Sequence, residues 1–164
     1  MALTKIQISE RLDIGPEFLF LDTFSFREGV IKEPQSDLEI AKLPSGKGAY
    51  RFVASEFTNG HFLSKQVVPA SLILESILQN TAMTIYSHAG LAKGVHALIV
   101  NIQVDLKNGV LTDEAISIET RIESINRGIV LATAECSSEL KIISRARLKY
   151  WYPTMYTRGT NDKE

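Results

Sequence analysis

From Val68 to Ser87 the sequence reads VPASLILESILQNTAMTIYS, apolar around most of a helix's circumference. Leu72, Leu74, Ile77, Leu78, Ala82, Met83 and Ile85 leave only a narrow polar side, so a helix here has to be enclosed by protein. Pro69 suits its first turn, where a missing amide proton forfeits no intrahelical bond, and Gly90 and Gly94 let the chain leave. No other segment offers a helix of comparable length. Lys5 to Arg11 can make a short one before Gly15-Pro16 stops it. Whatever encloses the long helix must therefore be built from strands.

The second half supplies them. In HALIVNIQVDLK, Leu98, Val100, Ile102, Val104 and Leu106 alternate with Asn101, Gln103 and Asp105, the period of a strand with one buried face. Ile116, Ile118 and Ile122 share a face of EAISIETRIES, and Asn126 to Gly128 make a tight-turn segment leading into IVLATAEC. The last strand, LKIISRARLKYWY, sets Leu140, Ile142, Ala146, Leu148 and Tyr150 against Lys141, Arg145, Arg147 and Lys149. Earlier, AYRFVASE reads as a strand and PEFLFLDTFSF as an edge element. VIKE and LEIAKL read as strand pieces between Gly29, Pro34, Pro44 and Gly46. One long helix among antiparallel strands predicts an α+β fold with the sheet wrapped around that helix, not βαβ repeats. The length suits one domain, 1–153, with 154–164 as a tail that lacks a core pattern.

Composition removes several function classes. A formal net charge of -1 carries no nucleic-acid-binding signature. No apolar run reaches membrane-spanning length, and MALTKIQISERL has charges where a signal peptide needs an apolar segment, so a cytoplasmic protein is expected. Cys136 is the only cysteine, which leaves no intramolecular disulfide and no thiolate cluster. His61, His88 and His96 lack the compact spacing of a metal site, so no metal is expected.

Two residues are candidates for chemistry. Glu75 interrupts the apolar helix. Periodicity alone allows a water-facing stripe of Ser71, Glu75, Gln79 and Asn80, or a carboxyl buried in a pocket where desolvation favours its protonated form. His61 follows the turn residues Asn59-Gly60. It can be a loop residue, or an imidazole aimed into a cleft as a base.

The residues around this pair bear a family resemblance. Gly60-His61-Phe62, then Val68-Pro69-Ala70, then Leu72-Ile73-Leu74-Glu75-Ser76 and Gln79 resemble the GHFPxxPxxPGxLxxEAxxQ pattern of FabZ/FabA-type 3-hydroxyacyl-[acyl carrier protein] dehydratases. The interval from His61 to Glu75 matches without a gap, and PEFLFLDTF is similar to the family's N-terminal segment. The resemblance covers about residues 8 to 152. It implies a hotdog fold, an antiparallel sheet wrapped around one long central helix, dimerised into one continuous sheet.

The resemblance also implies roles. His61 would abstract a C2 proton from a 3-hydroxyacyl thioester, and protonated Glu75 would donate to the departing hydroxyl, leaving a trans-2-enoyl thioester. The backbone amide of Ala70, in place of the family's glycine, would hold the thioester oxygen. Phe62, Leu63, Val68, Pro69, Leu72 and Gln79 would line the acyl tunnel or support the site. No cofactor is implied beyond the phosphopantetheine that carries the substrate. The partners implied are an acyl carrier protein and a second hotdog subunit, in a homodimer, a higher oligomer of dimers, or a heterodimer. Lys65 and the stripe Lys141, Arg145, Arg147 and Lys149 are candidates for carrier docking, or simply the wet face of a strand. The departures are substantial: Leu63 and Gln66 replace two prolines, Ser76 replaces an alanine, and KNGVLTDEA lacks the family's proline. The alternatives to dehydration are an acyl thioesterase and a non-catalytic subunit that binds acyl groups or a carrier.

Overall fold

A computed structural model describes residues 2–31, 43–53, 66–89, 97–139 and 141–152. Their elements, in chain order, are β1 (Ala2–Thr4), α1 (Lys5–Leu12), a 3₁₀ turn (Pro16–Phe18), β2 (Thr23–Arg27), β3 (Ser45–Arg51) and α2 (Ala70–Ala89). Then follow β4 (Leu98–Leu106), β5 (Ala115–Asn126), β6 (Ile129–Ser138) and β7 (Lys141–Trp151). The strands form one antiparallel sheet in the order β1-β2-β3-β5-β6-β7-β4, and α2 lies over β3, β5 and β6. This is the expected α+β hotdog arrangement, with an open sheet wrapped around one long helix. No helix among the described residues is long and apolar enough to cross a membrane.

The core fills the space between helix and sheet. Ile73, Ile77 and Ile85 of α2 join Ile116, Ile118 and Ile122 of β5 with Val130 of β6 and Leu148 of β7, all buried. Each such side chain, fully buried, contributes about 1.5–3 kcal/mol of transfer free energy. The helix starts two residues later than the expected Val68 because Val68 still belongs to a sheet-like pairing. Its amide donates to the Val110 carbonyl at 2.8 Å, and Val67 bridges Leu111. Within PEFLFLDTFSF only Thr23–Arg27 is strand, with Leu19 and Leu21 buried ahead of it. The pieces VIKE and LEIAKL lie almost wholly outside the described residues.

Besides an irregularity between Ile122 and Ser124 of β5, two bulges change the phase of the strands. One, between Ile99 and Asn101, pairs Ile99 with buried Tyr150 and Leu98 with exposed Trp151, so the simple alternation from Leu98 fails. The other, opposite Cys136 and Ser137, gives the buried place in β7 to Ile143 and leaves Ile142 half-buried. Asn126 and Ile129 pair across a two-residue turn in which Arg127 (φ 47°) and Gly128 (φ 78°) both adopt left-handed conformations, the geometry that suits a tight hairpin. β4 forms an edge, where Leu98, Val100 and Leu106 stand more than half exposed.

The polar residues of α2 are where the helix departs most from its apolar reading. Asn80 and Thr81 are completely buried. The Asn80 amide donates to Thr120 Oγ1 at 2.9 Å and reaches the carbonyls of Gly46 and Ile118 at 3.3 and 3.4 Å. Thr81 Oγ1 donates to the Ile77 carbonyl at 2.8 Å and sits 3.3 Å from Thr120 Oγ1. These bonds tie one face of the helix to β3 and β5 at a single register.

Two titratable groups make checkable predictions. Burial pushes the Cys136 thiol up to about 12, with the Ser144 hydroxyl opposing it. Cys136 should therefore resist a thiol reagent in the native protein and react fully once urea unfolds the chain. His88, beside the Phe26 ring at 6.4 Å, is lowered by burial, an effect that nearby Glu28 partly reverses. Its folded value thus lies below the unfolded one near 6.5. The stability from the neutral ring is present above that value and lost as pH falls through it toward the folded value. Thermal melts between pH 8 and 5 should show a steeper acid-side decline in the native chain than in His88→Gln.

Candidate functional site

Glu75 sits in the second turn of α2, on the side turned toward α1 and β7. It is half-buried and borders a cleft of about 270 Å³ whose walls include Leu12, Asp13 and Ile14 from the end of α1 and Ile99 of β4. Leu78, Gln79, Ala82 and Tyr86 continue the same helix face, and Tyr150 closes the β7 side. The spacing 75, 78, 79, 82, 86 is a single helical stripe. The cleft therefore runs along the helix.

Gln79 organises this site. It is 3% exposed, so neither end of its amide can rely on water. Its Oε1 accepts the Phe20 amide proton at 2.8 Å, which fixes which end of the group is oxygen. Its Nε2 then donates to the Phe18 carbonyl at 2.7 Å and to Glu75 Oε1 at 2.9 Å. Glu75 is the acceptor in this bond. The Tyr150 hydroxyl donates to the Leu78 carbonyl at 3.2 Å, and burial, with Glu75 and then Tyr86 nearby, pushes its pKa upward, so it stays a donor.

The water-facing stripe is thus corrected. Ser71 is exposed and Glu75 half-buried, but Gln79 is buried under the Phe18–Phe20 segment and Asn80 against the sheet. The reason is that backbone groups of other elements need these side chains as partners.

His61, Phe62, Leu63 and Lys65 lie outside the described residues. Val68 and Pro69 are buried and Leu72 half-buried at the start of α2. Ala70 borders a separate cleft of about 350 Å³, with Val68, Ile73, Leu106, Lys107 and Asn108 among its walls. Of the basic stripe, Lys141 binds the Gly109 carbonyl at 3.1 Å and approaches Glu114 at 3.5 Å, and Arg145 pairs with Glu135 at 2.9 Å. Arg145 and Arg147 border a surface depression on the sheet, and Arg147 and Lys149 border a second beside it. Tyr86, Asp13 and Ile14 escaped the sequence reading. The helical stripe from Glu75 could have pointed to Tyr86, whereas nothing local marks the end of α1. Among the described residues no group of three His, Cys, Asp or Glu side chains is placed to hold a metal ion.

A sheet wrapped around one helix, with a cleft along that helix beside a carboxylate, defines the hotdog class. A family model described as the FabA-like domain matches residues 53–147, and the chain belongs to that family. No curated protein matches the chain. Among solved structures it is similar to zebrafish thioesterase superfamily member 2, at 11% identity over 79% of this chain and 80% of that one, with a TM-score of 0.56. It is also similar to a hypothetical thioesterase from Streptococcus pneumoniae solved with coenzyme A (7% identity, 79% and 84% coverage, TM-score 0.56). A third is the PaaI protein of the Escherichia coli phenylacetic acid degradation operon (13%, 66% and 72%, TM-score 0.55).

Two expectations give way to these findings. The first is dehydration of a 3-hydroxyacyl thioester, and with it assignment as a FabZ-like lyase. The zebrafish and streptococcal structures are both named thioesterases. The second is an acyl carrier protein as the required partner, since the streptococcal structure holds coenzyme A instead.

Proposed function

We propose that this chain hydrolyses acyl thioesters, with Glu75 as the base. One observation carries the reading: Glu75 accepts a hydrogen bond from a Gln79 amide whose orientation is held from its other side by Phe20. A carboxylate so held, at the mouth of a largely apolar cleft, can take a proton from water. The hydroxide attacks the thioester carbonyl, the C–S bond breaks, and the thiolate leaves with the proton, giving a free acid and a thiol. Charge developing on the carbonyl oxygen requires a donor. The Ala70 amide at the start of α2 has no intrahelical acceptor, but it borders the separate cleft and is not assigned as this donor.

The coenzyme A in the streptococcal structure makes acyl-coenzyme A the first substrate to test. Incubation with a set of acyl-coenzyme A esters, followed by mass spectrometry, should show free acid and coenzyme A in equal amounts. Intact thioester in every case, or a product altered only by the mass of one water, would overturn the reading.

A further inference from the structure

Across β5, β6, β7 and β4 one line of the register runs Arg121–Thr133–Arg147–Gln103. The neighbouring line runs Glu119–Glu135–Arg145–Asp105. Strand alternation puts both on the face of the sheet turned away from α2, because Thr120, between Glu119 and Arg121, meets Asn80 of the helix on the other face. That outer face is hollowed into a depression of about 380 Å³, bordered by the whole first line and by Glu135, Arg145 and Asp105 of the second. The two lines differ in charge. Each carboxylate of the second has its own cation: Glu135 pairs with Arg145 at 2.9 Å, Asp105 with Lys107, and Glu119 with Arg121 at 2.7 Å. The first line carries two guanidiniums and no acid. Arg147 has no ion-pair or hydrogen-bond partner among the described residues. Arg121 reaches out of its line to Glu119, but the two side chains are 33% and 40% exposed, where an ion pair is worth little. Arg121 Nε is buried with no acceptor among the described residues, so turning the guanidinium forfeits no bond there.

We infer that this depression binds a small phosphate monoester, its dianionic group seated over Thr133 between Arg121 and Arg147. The two arginines stand two strand spacings apart, about 10 Å between Cα atoms, so their side chains can close on one tetrahedral group from opposite sides. Each guanidinium offers a planar fork of donors to a pair of oxygens, and the Thr133 hydroxyl and Gln103 amide add donors beneath and beside them. A dianion displaces Glu119 from Arg121 because it brings twice the charge and engages Arg147 as well. A single carboxylate has no such advantage. Glu135 and Asp105 are acceptors for hydroxyl groups on the esterified part, and they repel a second phosphate. The lining therefore favours the monoester of a sugar or polyol over a polyphosphate. The depression lies across the sheet from α2 and Glu75, so it stands or falls independently of the hydrolase reading.

Calorimetric titration of the full chain at constant ionic strength tests this with ribose 5-phosphate, inorganic phosphate and ribose as probes. Ribose 5-phosphate should bind saturably at one site per chain, and ribose should not bind. Arg147→Gln and Arg121→Gln should each weaken that binding by about tenfold or more, the worth of a charge-assisted hydrogen bond. Lys149→Gln removes the same charge from the same strand outside this depression, and should change the affinity by less than about threefold where salt screens it. Melting curves accompany each variant, and the two arginine variants guard against misfolding of either one. No saturable binding of ribose 5-phosphate up to about 10 mM would overturn the inference. So would native affinity in both folded arginine variants, or equal weakening in all three charge variants, which is diffuse attraction and not a site. Tighter binding of ribose 5-phosphate than of inorganic phosphate upholds the ester, and equal or weaker binding overturns it.

Discussion

Glu75→Gln should slow the proposed acyl-coenzyme A hydrolysis by about a hundredfold or more, the usual worth of a positioned general base, while the melting temperature stays close to native. The substitution is chosen because a glutamine at 75 still offers an amide oxygen to Gln79 Nε2 and fills the same space. Only the capacity to take a proton from water is lost. Gln79→Leu provides the contrast. It removes the donor to Glu75 and also strands the partly buried Phe18 carbonyl and Phe20 amide, each costing up to about 1–3 kcal/mol where water cannot replace the lost bond. That variant should lose activity and stability together. Steady-state kinetics beside thermal melts distinguish the two patterns, and a Glu75→Gln enzyme with native kcat/KM would remove Glu75 from the mechanism.

Gly46→Ala destabilises the fold by about 3 kcal/mol, at the upper end of the range for overpacking, and lowers Tm by roughly 10 °C. A Cβ at this position would collide with Thr84 Oγ1 and would lie 2.7 Å from Phe24 Cε2. Thr84 cannot move away freely, because its hydroxyl donates to the Asn80 carbonyl at 2.7 Å inside the helix. Phe24 is 1% exposed and packed within the core. Gly48 stands two residues along on the same face of β3, where a Cβ would meet Asn80 Oδ1 and lie 2.8 Å from Leu21 Cδ2. The pair of glycines is what lets α2 approach β3 closely enough for Asn80 to reach the Gly46 carbonyl. Urea denaturation measures the loss. An alanine at 46 that leaves the midpoint unchanged would mean the helix can retreat at no cost, contrary to the packing described.

Much of the architecture could be read from residue periodicity. An enclosed helix, the β5–β6 hairpin at Asn126–Gly128 and a set of antiparallel strands all depend on neighbours a few positions away. Gln79 and Asn80 looked like a wet stripe because helical periodicity registers only their polarity, and polarity is equally what a backbone donor or acceptor on another element requires. Leu98 and Ile142 were assigned to the buried faces because strict alternation has no way to register a bulge on a partner strand. Tyr86 and Ile14 were missed because the cleft they share joins two helices far apart in sequence.

For Glu75 the division is sharpest. Its isolation among Leu72, Ile73, Leu74, Ile77 and Leu78 marks it as unusual by sequence alone, because an apolar helix gains nothing from a carboxyl in its midst. Its chemical role waits on tertiary structure. The partner that packing brings to its Oε1 is decided there, and it is an amide held in place by Phe18 and Phe20 from a different element of the chain.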